Sequence, residues 1–161
     1  WMLPSPELSA LRRALSRVAP KSRPRTISLS VRNSRLLAGQ ALADAGVVMN
    51  PQQCRGQVEG GVAQAIGGAL YEQILIGPDG TVLTDALRNY HIPQLADVPV
   101  TEVLFADTYD QIGPLGAKSM SESPYNPVGP ALANAIARAC GARVRDLPMT
   151  PAAVWRTLTR D

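Results

Sequence analysis

With 161 residues, 45% of them apolar and 18% charged, the chain is sized for one domain with a real core or for a piece of a larger one, and its lightly charged surface suits burial against a partner or another domain. The formal charge of +3 is unevenly spread: residues 1–40 hold eight Lys/Arg (Arg12, Arg13, Arg17, Lys21, Arg23, Arg25, Arg32, Arg35) against Glu7, whereas residues 41–161 hold the other eight basic residues against twelve acidic ones. No apolar run approaches the ~20 residues needed to cross a bilayer, prolines and arginines break residues 1–30 too often for a secretory signal, and no base-reading motif accompanies the basic segment, so neither membrane nor nucleic-acid partners are expected.

In chain order, Leu8, Leu11, Leu15 and Val18 predict a short amphipathic helix from about Glu7 to Val18. The Ser/Arg-rich run KSRPRTISLSVRNSR that follows is either disordered or an exposed edge strand over Thr26 to Val31. Beyond Ala41, LADAGVVMNP reads as a short strand-like piece ending in a turn at Asn50–Pro51. In GQVEGGVAQAIGGALYEQ, Val58, Val62, Ile66, Leu70 and Ile74 form a narrow helical stripe with Ala65 and Ala69 alongside. Each helical glycine in that stretch costs about 1 kcal/mol relative to alanine. A helix that keeps Gly60, Gly61, Gly67 and Gly68 is therefore expected to bring something close to its backbone, or to pack tightly on a neighbouring helix.

The GPDG run, Gly77 to Gly80, predicts a hairpin between Ile74–Ile76 and Val82–Leu83. NYHIPQLADVPV is expected to be extended, and TEVLFAD (Thr101 to Asp107) a strand. PALANAIARACG puts Leu132, Ala135, Ile136, Ala139 and Cys140 on one helical face with Gly141 as its stop. Thr150–Pro151 starts a last helix that Val154, Trp155 and Leu158 would dock. The sum is an α+β architecture of helices packed on a small mixed sheet, divided into a basic segment, 1–40, and a body, 41–161.

Few residues offer chemistry. GAKSMSESPYNP, Gly116 to Pro127, holds one carboxylate, Glu122, four positions after Lys118 and among small residues and prolines. Taken alone, Glu122 reads as a solvated loop acid, Gln57 as a helix-start cap, Lys118 as a structural charge, and Glu59 as an acid facing the positive end of a helix dipole. His91, the sole histidine, reads as a packed strand residue with no second histidine to complete a metal site. Cys54 and Cys140 read as small buried hydrophobes in a reducing, cytoplasmic setting.

Four pieces in order, GQVEGGVAQAIGGAL, NYHIPQLADVP, GAKSMSES-P and PALANAIARACGARVRDLPMTP, resemble the C-terminal end of the molybdopterin-binding large subunit of the xanthine oxidase/aldehyde oxidoreductase family of molybdenum hydroxylases. The resemblance runs from about Ala43 to Leu158. Each piece is short and glycine-rich; the specificity lies in their order and gaps. Residues 1–40 fall outside it, and the switch in charge near that point suggests a C-terminal fragment, or a truncated reading frame with an unrelated basic start.

The resemblance implies a piece of a larger cofactor-binding domain, with Gln57, following Gly56 in a GQ-x-E-G pattern, in contact with a molybdenum–pterin cofactor (molybdopterin or its cytosine dinucleotide form). It places Glu122, in a pattern usually written K-x-x-G-E, beside the metal as the catalytic base, with Lys118, Ser119 and Ser121 around it as cofactor contacts. Where the family has glycine before the glutamate this chain has Ser121, which resists a positive φ. The implied reaction hydroxylates a carbon of an aldehyde or N-heterocycle with oxygen derived from water, the carboxylate moving the proton. The chain has neither a cysteine cluster nor a flavin fingerprint, so iron–sulfur and FAD groups are expected only on other subunits or domains, and activity only when the rest of the molybdenum subunit completes the site. The competing expectation is an inactive truncated remnant that binds a protein or an anionic partner through residues 1–40.

Overall fold

Strands β1 (Thr26–Arg32) and β2 (Arg35–Ala43) pair antiparallel, and β3 (Thr101–Phe105) joins β2 in parallel, giving a mixed three-stranded sheet in the order β1-β2-β3. The computed structural model describes residues 26–32 and 35–159, with side chains described from residue 39 onward. The helix expected over Glu7 to Val18 lies outside the described residues. Thr26 to Val31 takes the edge-strand alternative, and β2 runs unbroken through position 40. A parallel partner for β2 requires a long crossover, which begins with helix α1 (Pro51–Leu70).

The start of α1 corrects the sequence reading. Asn50–Pro51 is a helix start rather than a turn: the Asn50 side chain accepts from the Gln53 N–H at 3.0 Å, and Pro51 fills the first turn, where a missing N–H costs nothing. The helix begins six residues before Gln57, so neither Gln57 nor Glu59 sits at its first turn. Glu59 instead accepts from Arg55 at 2.7 Å, one turn earlier on the same face. The helix also ends before Ile74, which is exposed at the base of the hairpin.

The buried stripe of α1, Val58, Val62, Ala65, Ile66 and Ala69, forms the core with Val128 and Leu132 of helix α2 (Val128–Cys140), with Ala41 of β2 and with Met149. Val103 and Phe105 of β3 pack on it from the sheet side. Helix α2 lies against both β1 and α1, and Gly141 closes it in the left-handed region at φ 82°. The hairpin forms as expected, with Ile76 bridged to Val82 and the Leu83 N–H donating to the Leu75 carbonyl at 2.8 Å.

Other expectations change. Cys140 is exposed rather than buried, its thiol donating to the Ile136 carbonyl at 3.3 Å, and Cys54 is only partly covered. His91 lies outside any strand, half exposed, edge-on to Tyr71 and 3.6 Å from Asp97. The stretch containing it is turned rather than extended, with turns closed by Ala86 and Gln94 carbonyls. Helix α3 (Pro151–Leu158) starts as predicted, Thr150 accepting from the Ala153 N–H at 3.2 Å. Trp155 and Leu158 do not dock, however: they are 64% and 50% exposed.

Candidate cofactor-facing site

The loop carrying Glu122 is tied to the end of β2. Gly46 and Ala117 form an antiparallel bridge, the Val47 N–H donating to the Gly116 carbonyl at 2.9 Å and the Lys118 N–H to the Ala45 carbonyl at 2.8 Å. At its centre is Asp44, a residue the sequence reading did not single out. Its carboxylate accepts from the Lys118 ammonium at 2.5 Å, from the Thr108 hydroxyl at 2.5 Å and from the Gly46 N–H at 3.1 Å. The Asp44 side chain is 7% exposed and that of Lys118 29%. Burial pushes the Asp44 carboxyl up, but the bonds from Lys118, Thr108 and Gly46, with the charge of Lys118, outweigh it and hold the group below the usual carboxylate range. Lys118 thus has its charge committed to anchoring the loop. Gly46 is required here: its φ is +60°, and a side chain would begin 2.3 Å from the Gly116 oxygen.

Beyond the clamp the chain reaches Ser119, Ser121 and Glu122, all exposed. Ser121 adopts no left-handed conformation; among the described residues the one non-glycine with positive φ is Leu115, at 54°, six residues earlier. Serine before Glu122, where the resemblance expects glycine, is therefore accommodated without a positive φ at that position. A turn follows, the Tyr125 N–H donating to the Glu122 carbonyl at 3.0 Å.

The glycines of α1 explain where that turn rests. A side chain at Gly61 would begin 3.1 Å from Cβ of Pro124 and 3.5 Å from the Tyr125 nitrogen, and one at Gly68 would begin 2.7 Å from the Tyr125 hydroxyl. Positions 57, 61, 64 and 68 share one face of an α-helix at 3.6 residues per turn. At Gly61 and Gly68 the expected close approach is thus to a loop, not to another helix, whereas Gly60 has open space around it. The loop contact sets Gln57, one turn before Gly61, on the side of α1 that meets the Glu122 turn. Gly56 has open space around it. Gly61→Val is expected to lower stability by about 1–3 kcal/mol, through overpacking against Pro124 and loss of helix propensity, read as a fall in the midpoint of chemical denaturation.

Gln57, Ser119, Ser121 and Glu122 therefore stand exposed, and among the described residues none of their side chains takes a hydrogen-bond partner. They offer one amide, two hydroxyls and a carboxylate, groups that donate to and accept from polar organic molecules.

A model of the molybdopterin cofactor-binding domain matches residues 30–99. Over 121 residues, 74% of the chain, the sequence is 37% identical to the probable hypoxanthine oxidase XdhD of Escherichia coli K12, of which it covers 13%. Over 122 residues, again 74% of the chain, it is 38% identical to the aldehyde oxidoreductase molybdenum-binding subunit PaoC of the same organism, covering 16% of it. The fold superposes on the quinoline 2-oxidoreductase of Pseudomonas putida 86 with a TM-score of 0.73 and 31% identity, over 78% of this chain and 16% of that one. The chain belongs to the xanthine oxidase/aldehyde oxidoreductase family of molybdenum hydroxylases. It spans 13–16% of the length of these molybdenum hydroxylase relatives. The matched cofactor-binding domain includes β2, α1 and Gln57; the Glu122 loop lies outside that matched range, joined to it by the Asp44 clamp and the Gly61 contact.

Proposed function

We propose that this chain supplies Gln57 and Glu122 to the molybdenum–pterin centre of a hydroxylase acting on a carbon of an aldehyde or an N-heterocycle. When bound, the cofactor supplies the two-electron redox chemistry. The Gln57 amide, beside the open backbone at Gly56, binds and orients it, and the Ser119 and Ser121 hydroxyls donate to its oxygens. Lys118 holds the loop in place through Asp44. The Glu122 carboxylate accepts the proton released as water-derived oxygen passes to the substrate carbon. Polypeptide or cofactor laid over the exposed carboxylate would exclude water from the reacting groups.

The single observation that carries this reading is the contact of Pro124 and Tyr125, in the turn that begins at Glu122, with Gly61 of α1, one helical turn after Gln57. Similarity to a protein named as a molybdenum-binding subunit supports partners that complete the centre; in this proposal they are the remainder of a molybdenum subunit, with iron–sulfur and flavin subunits to carry electrons away. Names among the relatives, an aldehyde oxidoreductase and a quinoline oxidoreductase, support the two substrate classes. Free thiols at Cys54 and Cys140 fit a reducing cytoplasm.

Purification with the products of neighbouring genes, followed by metal analysis, tests the proposal. The complex is expected to retain molybdenum. Gln57→Ala is expected to lower its content about tenfold, and Arg55→Ala, on another face of α1, to leave it unchanged. A wild-type complex without molybdenum would favour a binding-only remnant.

A further inference from the structure

At the opposite end of α1 lies a cleft of about 390 Å³ between the segment leading into α3 and α3 itself. The Met149 N–H donates to the Ala69 carbonyl at 2.7 Å, and Gln73 lines the wall. Gln57 lies twelve residues before Ala69, about 18 Å along the helix axis, so the cleft takes no part in the centre proposed above.

We propose that this cleft binds a phosphate-bearing anion. Three guanidinium groups line it, Arg143, Arg145 and Arg156, and among the described residues none of them is in an ion pair. The local sequence explains the convergence. In ARVR, Ala142 is 3% exposed and Val144 packs on the core, so the alternate residues Arg143 and Arg145 point outward together. Met149, 3% exposed, pins the other end of the segment. On α3, Ala153, Arg156 and Thr157 share the face turned to the cleft. Two arginines on a segment whose backbone is pinned at Met149 and a third on a capped helix bring three guanidinium groups to one cleft.

The chemistry selects the ligand. The Gln73 amide adds donors, and the Thr150 hydroxyl, which accepts from the Ala153 N–H, keeps its own proton to donate. Among the described residues that line the cleft, Asp146 alone opposes the three positive charges, leaving two in excess. A phosphate monoester carries about −1.5 to −2 at neutral pH and three strong acceptor oxygens. It matches both that charge and the number of donors, more of which are offered than a carboxylate can use. The volume lies within the range of small-ligand sites.

Isothermal titration of the full 161-residue chain with inorganic phosphate, pyrophosphate and adenosine monophosphate tests this, with succinate as the carboxylate control. Saturable binding of the phosphate probes is expected, about tenfold tighter than succinate, with Arg156→Gln and Arg145→Gln each weakening it about tenfold and Arg55→Gln leaving it unchanged. Adenosine monophosphate tighter than inorganic phosphate would identify a nucleotide site, and the reverse a site for free phosphate; both support the proposal. Circular dichroism confirms the fold of each variant, and Arg143→Gln replaces any that fails to fold. Three results would overturn the proposal: no saturable binding below about 10 mM, succinate binding as tightly as phosphate, or an equal loss in Arg55→Gln. Because the readout needs no molybdenum, failure here and failure of the hydroxylase reading are separable.

Discussion

In the hydroxylase assembly proposed above, Glu122→Gln is expected to lower turnover about 10²- to 10⁴-fold, with molybdenum content unchanged. Glutamine keeps the shape and hydrogen-bonding reach of the side chain and removes its capacity to take a proton. The structural consequences should be small, because the side chain is exposed and the bond that forms the turn is made by the Glu122 backbone carbonyl, which the substitution leaves in place. Single-turnover reduction of the enzyme by substrate, followed optically alongside metal analysis, separates the two contributions. Unchanged turnover would remove Glu122 from the chemistry. Loss of metal in step with activity would reassign it to holding the cofactor.

The second large effect is expected at Asp44. Asp44→Ala should destabilise the chain by about 2–3 kcal/mol, since it removes three hydrogen bonds from a nearly buried carboxylate and leaves the part-buried Lys118 ammonium without its counter-charge. The sign with pH follows from the depressed carboxyl of Asp44. A group whose folded value lies below its unfolded one stabilises fully above the unfolded value, near 4, and loses that contribution as pH falls through the folded value. Wild type should therefore lose its advantage over Asp44→Asn on acidification below about pH 4, and the two denaturation midpoints should converge there. A gap that persists to low pH would mean that the pair contributes nothing through its charge.

Helices α2 and α3 were legible because their signals are local: a 3.6-residue apolar period, Gly141 at one end and Thr150–Pro151 at the other. The hairpin at Gly77–Gly80 was legible for the same reason. The start of α1 was not, because Asn-Pro serves a turn and a helix cap equally well until the chain beyond is seen to coil. The order of the motifs was enough to recognise the family, and through it to nominate Gln57 and Glu122. The clamp that ties the Glu122 loop to the sheet was hidden, because Asp44 and Lys118 are 74 positions apart and neither side chain shows any pattern on its own. An aspartate two residues before a glycine, as in Asp44-Ala45-Gly46, was the faint local sign of a bonded turn. Trp155 and Leu158 misled in the other direction: helical spacing marks an apolar face but says nothing of whether a neighbour within the chain covers it.

The parallel pairing of β2 with β3 joins residues 62 positions apart, as Gln40 with Glu102. Such a ladder cannot nucleate from its own ends: closing so long a connection costs chain entropy before any strand bond repays it, whereas the β1–β2 hairpin needs only a short reversal. Along the route to the native state the hairpin and α1 would come early, and the third strand would arrive on a surface they had already built. The segment carrying Glu122 lies further still along the chain, so its attachment belongs to the last stage of assembly. Weakening that attachment would then hasten unfolding far more than it delays refolding.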